Sequence, residues 1–265
     1  MATNPRLMPD EPRMFTAEVV RTARISPSFQ RVTIGSAQLA EFDWHGLDHW
    51  FRLFFPRSDT ALRLPEVRGR LWWKSYLSIP DEHRPHCSNY TVAGYRRFGE
   101  DAELDIDVVL HWHQGQLTGV AGWAATAQPA SAVAILDQGV LFDPPRDTTD
   151  YLLVADESGL PAVRGILRDL PPDAIGTAII EVPAHGDVRD VQAPAGVTVR
   201  WLPREASDQP VGAGALRALN SIEAPSQASY AFVVGESTLA TEGRRTLRRA
   251  GLPKERITFS GFWRA

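Results

Sequence analysis

At 265 residues, with 43% hydrophobic and 23% charged side chains, the chain can bury a large core and fits two domains of ordinary size better than one. A net charge of −4 gives no overall attraction to nucleic acid or to an anionic membrane, so any electropositive site must be local. Cys87 is the only cysteine, which excludes a disulfide within this chain and suits a reducing compartment. The opening MATNPRLMPDEPRMF lacks the apolar core of a signal peptide, and no apolar run approaches ~20 residues. A cytoplasmic protein without a membrane span is expected.

Residues 1–13 are polar and Pro-containing and read as a flexible arm. Phe15 to Ile25 and Phe29 to Gly35 read as two strands about a Ser26-Pro27-Ser28 turn, with Arg31 to Ile34 alternating. Gln38 to Trp44 suggests a short helical turn, His49 to Pro56 another strand, and the Arg- and Pro-rich Ser58 to Trp73 a long surface loop. Asn89 to Val92 is β-prone and breaks at Gly94. Leu104 to Leu110, with Asp105 and Asp107 alternating, predicts a half-buried strand that ends at His111. A Gly-punctuated loop then turns into a helix start over Thr118 to Trp123, and Ala132 to Leu136 is one more strand. Many short strands with turn signals predict a small antiparallel β-barrel over 14–145. After Asp143-Pro144-Pro145 the pattern changes. Strands at Tyr151 to Ala155, Thr177 to Val182, Val197 to Leu202, Tyr230 to Val234 and Ile257 to Ser260 alternate with helices at Leu160 to Leu170, Gly212 to Ile222 and Leu239 to Arg249. Arg164 and Arg168 are expected on an exposed helix face. This predicts an α/β domain over 146–265, with a mostly parallel sheet and ligands beyond the carboxyl ends of its strands.

A tyrosine-threonine strand, a strand ending in His and a helix N terminus suit one ligand. The ring and hydroxyl can contact a flat heterocycle, while free N–H groups hold a pyrophosphate. Tyr90, Thr91, Asp107, His111, Gly115 and Trp123-Ala124 resemble the flavin-binding domain of the siderophore-interacting protein family, which is related to ferredoxin–NADP reductases. Its pattern is Arg-x-Tyr-(Thr/Ser)-x-Arg, an Asp-rich strand ending His-Gly, and Gly-Pro-Ala-Ser-x-Trp-Ala. The resemblance continues through Asp156-Glu157-Ser158-Gly159-Leu160-Pro161-Ala162, Trp201 to Arg204, Gly235-Glu236-Ser237 and Gly261-Phe262-Trp263-Arg264, and so spans about Phe15 to Arg264. It implies a ferredoxin–NADP reductase-like fold in which NADPH or NADH reduces FAD and electrons pass to a ferric siderophore. FAD would meet Tyr90, Thr91, His111, Thr118, Gly119, Gly122 and Trp123. The nicotinamide side would carry Asp156, Glu157, Glu236 and Trp263, with His111, Asp156 and Glu157 as catalytic candidates. Lys74, Arg244 and Arg248 are the basic candidates for an anionic siderophore. No Gly-x-Gly-x-x-Gly follows Ala155, so no Rossmann phosphate loop is invoked.

Ser88 and Ala93 stand where the family places its two arginines. Two charge-assisted phosphate contacts at roughly 1.5–3 kcal/mol each amount to about 3–6 kcal/mol, or on the order of 10²–10⁴ in affinity. Arg84, Arg96 and Arg97 are candidates to replace them. The alternative is a flavin-free homologue that uses an inter-domain pocket for another small molecule, for example a cofactor-independent cyclase of specialised metabolism. Simpler readings stand beside these. Asp156 and Glu157 suit a helix cap, and Cys87 suits a small buried residue rather than a nucleophile. Trp72, Trp73 and Trp112 fit a lid or a core equally, and the arginines at 244, 245, 248 and 249 fit a solvated helix face. His111 and His113 lack a third ligand at metal spacing, so no metal is expected.

Overall fold

The computed structural model describes residues 9, 12–57, 61–113, 115–205, 209–223 and 225–264, apart from the side chains of Arg70 and His113. Most of the arm expected over 1–13, the first residues of the expected loop from Ser58, and the imidazole of His113 therefore lie outside the described residues. The chain divides into two compact units. Among the described residues, one holds those up to His45 together with His49–Val140, and the other holds Gly46–Asp48 and the chain from Leu141 on.

The first unit is built from β1 (Met14–Ser26), β2 (Phe29–Ser36), β3 (Trp50–Phe55), α1 (Trp72–Ser78), β4 (His86–Thr91), β5 (Gly94–Phe98), β6 (Asp101–Val109), β7 (Trp112–His113), β8 (Gln116–Leu117), α2 (Gly119–Thr126) and β9 (Ala132–Asp137). Seven strands form one sheet in the order β4-β3-β9-β1-β2-β6-β5, with every pairing antiparallel. Val92 and Ala93 alone carry the chain from β4, at one end of that order, to β5 at the other; Val92 N–H bonds His49 O and Ala93 N–H bonds Asp105 O. One face buries Val32, Ile34, Phe51, Leu53, Leu104, Ile106 and Ile135, with Tyr90 and Trp123 packed against them. On the other, Phe54, Trp72, Ala134 and Leu136 are covered by Leu62, Leu64, Val67 and Tyr76.

Three sequence expectations change here. The run from Asn89 ends at Thr91, and Gly94, expected only as its break, opens β5. The stretch read as loop to Trp73 already carries the start of α1, because Trp72 turns inward against Phe54 at 5.9 Å. The strand around Asp105 and Asp107 is buried on both faces, not half-exposed. Both carboxylates do alternate with the apolar residues, but arginines from neighbouring strands cover them. Arg31 grips Asp107 at 2.7 and 2.9 Å, Arg96 grips Asp105 at 2.6 and 2.9 Å, and Thr33 Oγ1 donates to Asp105 at 2.7 Å. A paired carboxylate with its lone pairs filled is tolerated where a bare one is not.

The second unit runs β10 (Asp150–Ala155), α3 (Leu160–Asp169), β11 (Ile175–Val182), β12 (Gly196–Pro203), α4 (Ala213–Asn220), β13 (Ser229–Glu236), α5 (Ser237–Arg249) and β14 (Ile257–Trp263). Its five strands are all parallel in the order β12-β11-β10-β13-β14. The order reverses between β10 and β13, which is where an open α/β sheet leaves a crevice for ligands. β10 and β13 are almost continuously apolar and wholly buried along Tyr151–Ala155 and Tyr230–Val234, as strands covered on both faces must be. Arg164 and Arg168 on α3 are half-buried rather than exposed, and Arg168 is held to Asp169 at 2.7 Å. Gly46–Asp48 belongs to this unit. Leu47 N–H donates to Asp169 at 2.6 Å, and the Asp48 carboxylate accepts from Leu141 and Phe142 N–H at 3.2 and 3.0 Å. Gly165 leaves the room for this segment, since a Cβ there would lie 1.9 Å from Leu47 O.

Candidate functional site

In the first unit the candidate surface is the edge strand β4. Alternation places His86, Ser88 and Tyr90 on one face and Cys87, Asn89 and Thr91 on the other. Tyr90 is half-buried against the core, its hydroxyl makes no hydrogen bond among the described residues, and desolvation pushes its ionisation well above the usual phenol range. Thr91 is buried. The His86 ring stacks on Phe55 at 4.7 Å, and Phe55 stacks on Trp123 of α2 at 4.6 Å. His86 Nε2 lies 2.6 Å from Ser88 Oγ. The stack brings β4 to the start of α2. Thr118 is the N-cap residue but its side chain caps nothing, and Gly119 follows, exposed, with φ +57°. Among the described residues, His86 Cε1 lies 3.9 Å from where a Gly119 side chain would begin, which sets the His86 ring beside this helix start. A Cβ on Gly122 would lie 2.8 Å from Leu117 O, so the turn before α2 leaves no room for a side chain there.

The candidates to replace the missing arginines resolve differently from expectation. Arg96 is committed to Asp105 and Glu103. Arg84 closes α1 by donating to the carbonyls of Tyr76, Leu77 and Ile79. Arg57 instead stands near His86 and Tyr76; burial, then the charge of Arg57, lower the His86 pKa. Neither His86 nor Arg57 was singled out from sequence, although strand alternation from Tyr90 back through Ser88 reaches His86. His111 is exposed just beyond β6. Trp72 is core, whereas Trp73 and Trp112 are 46% and 62% exposed. Lys74 is exposed on α1, its Nζ 5.8 Å from the Trp73 ring. Burial raises the Cys87 thiol pKa, which disfavours a nucleophile.

In the second unit Asp156, Glu157, Glu236 and Trp263 come together at the ends of β10, β13 and β14, with Glu236 paired to Trp263. Asp156 and Glu157 are wholly buried and Glu236 nearly so. Asp156 accepts from Ser158 N–H and Oγ and from Glu236 N–H, tying the two strand ends across the crevice. Burial, with the neighbouring charge of Glu157, pushes its carboxyl up to about 6. Gly235, at φ +132°, makes this possible, because a Cβ there would lie 2.6 Å from the Asp156 carboxylate. Glu236 caps α5 through Thr238 N–H. Glu157 is gripped by Arg204 at 2.6 and 2.7 Å, and Arg204 also reaches Glu181 at 2.9 Å. Glu181 in turn accepts from Gly212 and Ala215 N–H. Beside this cluster a cavity of about 610 Å³ is bounded by Leu202, Arg204, Gly214 and Arg217. On α5, Arg244 lies over Phe259 at 4.7 Å and Arg248 donates to Leu252 O at 2.6 Å. Among the described residues no three His, Cys, Asp or Glu side chains gather where a metal ion could sit, and no helix is long and apolar enough to cross a membrane.

An antiparallel unit of the FAD-binding type, followed in the chain by a parallel-sheet unit with its strand-end crevice, is the architecture of ferredoxin-reductase-like oxidoreductases. Residues 18–141 match the siderophore-interacting FAD-binding domain and residues 148–265 match the siderophore-interacting protein domain. The chain belongs to the siderophore-interacting protein family. It is 31% identical to the ferric vibriobactin reductase ViuB of Vibrio cholerae over 93% of this chain and 88% of that one. It is 27% identical to the NADPH-dependent ferric-chelate reductase of Escherichia coli over 98% and 97% of the two chains. A siderophore utilization protein from T. fusca superposes with a TM-score of 0.79 at 28% identity, over 98% of this chain and 95% of that one. Family membership supports a general FAD- and NAD(P)H-linked oxidoreductase role.

Proposed function

We propose that the protein is a cytoplasmic reductase that passes electrons from NAD(P)H through FAD to a ferric siderophore, its first unit a closed, barrel-like FAD domain and its second the NAD(P)H domain. The carrying observation is the open, uncapped start of α2 beside the face of Tyr90, Ser88 and His86 in a chain of this family. These residues fit a flavin nucleotide: Tyr90 and Trp123 supply apolar and hydroxyl contacts, and the N–H groups of Gly119, Val120 and Ala121, ahead of the Gly122 N–H that bonds Thr118 O, supply anion donors. His86 and Arg57 stand in for the absent guanidinium groups, and His111 is the solvent-side acid–base candidate. FAD, when bound, couples a two-electron hydride donor to a one-electron metal acceptor. Fe(II) is then held more weakly than Fe(III) by hard oxygen ligands. Trp263 offers the nicotinamide side a flat surface, while Asp156, Glu157 and Glu236 fix the backbone around it. The cavity by Arg204 and Arg217 suits the phosphate-bearing end of the dinucleotide. Lys74, Arg244 and Arg248 are proposed to attract an anionic siderophore.

The test is the visible spectrum of purified protein before and after excess FAD, followed by anaerobic, NADPH-driven reduction of a ferric siderophore. A flavin band that survives gel filtration, and NADPH-dependent Fe(II) formation, are expected. A colourless protein that ignores FAD at high micromolar concentration sinks this reading. It would favour the flavin-free alternative, which Ser88, Ala93 and the commitment of Arg84 and Arg96 to other partners also favour.

A further inference from the structure

Facing away from Tyr90, β3 and β4 form one wall of a cavity of about 490 Å³ that shares no residue with the flavin and nicotinamide candidates above. Its polar wall is Arg52. The guanidinium carbon lies 5.0 Å from the Trp72 ring and 5.8 Å from the Trp50 ring, and Nη1 donates to Asn89 Oδ1 at 3.1 Å. No carboxylate pairs with Arg52 among the described residues. Among the described residues its Nε is buried without an acceptor, and so is Trp50 Nε1 on the same face of β3. Trp72, half-exposed Trp73, Tyr76, Leu77 and Pro12 form the flat and apolar walls, and Gln138 and Cys87, whose thiol meets Arg52, complete the lining. A guanidinium held over indole rings, with no carboxylate partner, keeps N–H donors that an anion could fill. The planar fork of arginine matches a carboxylate in two parallel bonds. Aromatic walls on the same cavity favour a ring behind that carboxylate, and the volume falls in the range of small-molecule sites.

We propose that this cavity binds a small aromatic carboxylate, with its carboxylate on Arg52 and its ring against Trp72 and Trp73. The proposal does not rest on the reductase reading. The experiment is isothermal titration calorimetry of the full chain with 2-naphthoate, its neutral isostere 2-naphthamide, and inorganic phosphate, each with and without saturating FAD. Naphthoate is expected to bind with a sub-millimolar Kd that FAD leaves unchanged, and naphthamide about tenfold or more weakly, as loss of a charge-assisted pair implies. Phosphate at equal concentration is expected not to displace it. Arg52→Gln is expected to abolish the preference for naphthoate, and Trp73→Ala, at an exposed position, to weaken binding severalfold without altering the fold. Equal affinity for acid and amide, no heat from naphthoate at millimolar concentration, displacement by FAD or phosphate, or indifference to Trp73→Ala would each overturn the proposal.

Discussion

Arg204→Met tests the ion cluster beneath the strand-end crevice. Glu157 and Glu181 have side chains with 0% exposure, and Arg204 is 14% exposed. Without Arg204, Glu181 keeps two backbone donors, whereas Glu157 keeps no side-chain hydrogen bond among the described residues. Removing one partner of a buried pair costs about 3–5 kcal/mol, mostly as the penalty of the stranded charge. Against a total stability of about 5–15 kcal/mol this is a large fraction. It corresponds to a fall in Tm of roughly 6–20 °C for a protein of this size. The assay is urea denaturation at pH 7.5, followed by circular dichroism and by tryptophan fluorescence, to which Trp201 of β12 contributes. The loss should be at least half recovered in Arg204→Met/Glu157→Gln, which removes the orphaned charge. A loss under about 1 kcal/mol at pH 7.5, or no recovery in the double variant, would refute the reasoning.

Asp48 and Asp156 are both pushed up to about 6, chiefly by burial. Below about pH 4 folded and unfolded chains are both protonated there, and above about 6 both are ionised, so stability falls as pH rises between those limits. The fall is at most about 3 kcal/mol per group, and equilibrium unfolding at pH 4.5 and 7.5 reads it. A rise over that window would contradict the assignment. Gly235→Ala forces a Cβ into the Asp156 carboxylate at an unfavourable φ, and a loss of about 2–4 kcal/mol in denaturant titration is expected; a loss below 0.5 kcal/mol would count against it. Burial, then the charge of Arg57, lower the His86 pKa and so disfavour its cationic form. FAD affinity, read by flavin fluorescence quenching, should therefore strengthen on acidification toward pH 5, and His86→Ala should flatten that dependence. An unchanged pH profile in the variant would remove His86 from the phosphate side.

Much of the fold was legible because apolar periodicity is a local signal. The buried strands of the second unit and the Arg31-Val32-Thr33-Ile34 alternation each carry their own evidence. What escaped depends on partners distant in sequence. Nothing near Asp107 announces that Arg31, 76 residues earlier, will cover it, and nothing near Glu157 announces Arg204, 47 residues later. β5 was missed because Gly94 reads as a breaker, yet here it pairs with Asp105 and opens a strand. The candidate residues at the ends of β10 and β13 were found because topology concentrates polar residues there. His86 carries no local signal of its own, and only its register with Ser88 and Tyr90 on one face of β4 brings it to the site.

Gly46–Asp48 bears on how this chain can be cut, shuffled or inherited. The second unit is not a contiguous stretch of polypeptide. A fragment starting at Leu141 would leave the N–H groups of Leu141 and Phe142 without the Asp48 carboxylate, Asp169 without the Leu47 N–H, and a gap opposite Gly165. A module transplanted between such proteins must therefore carry a tripeptide encoded about a hundred codons upstream, or a substitute for it. Recombination at the apparent interdomain boundary separates two parts of one core.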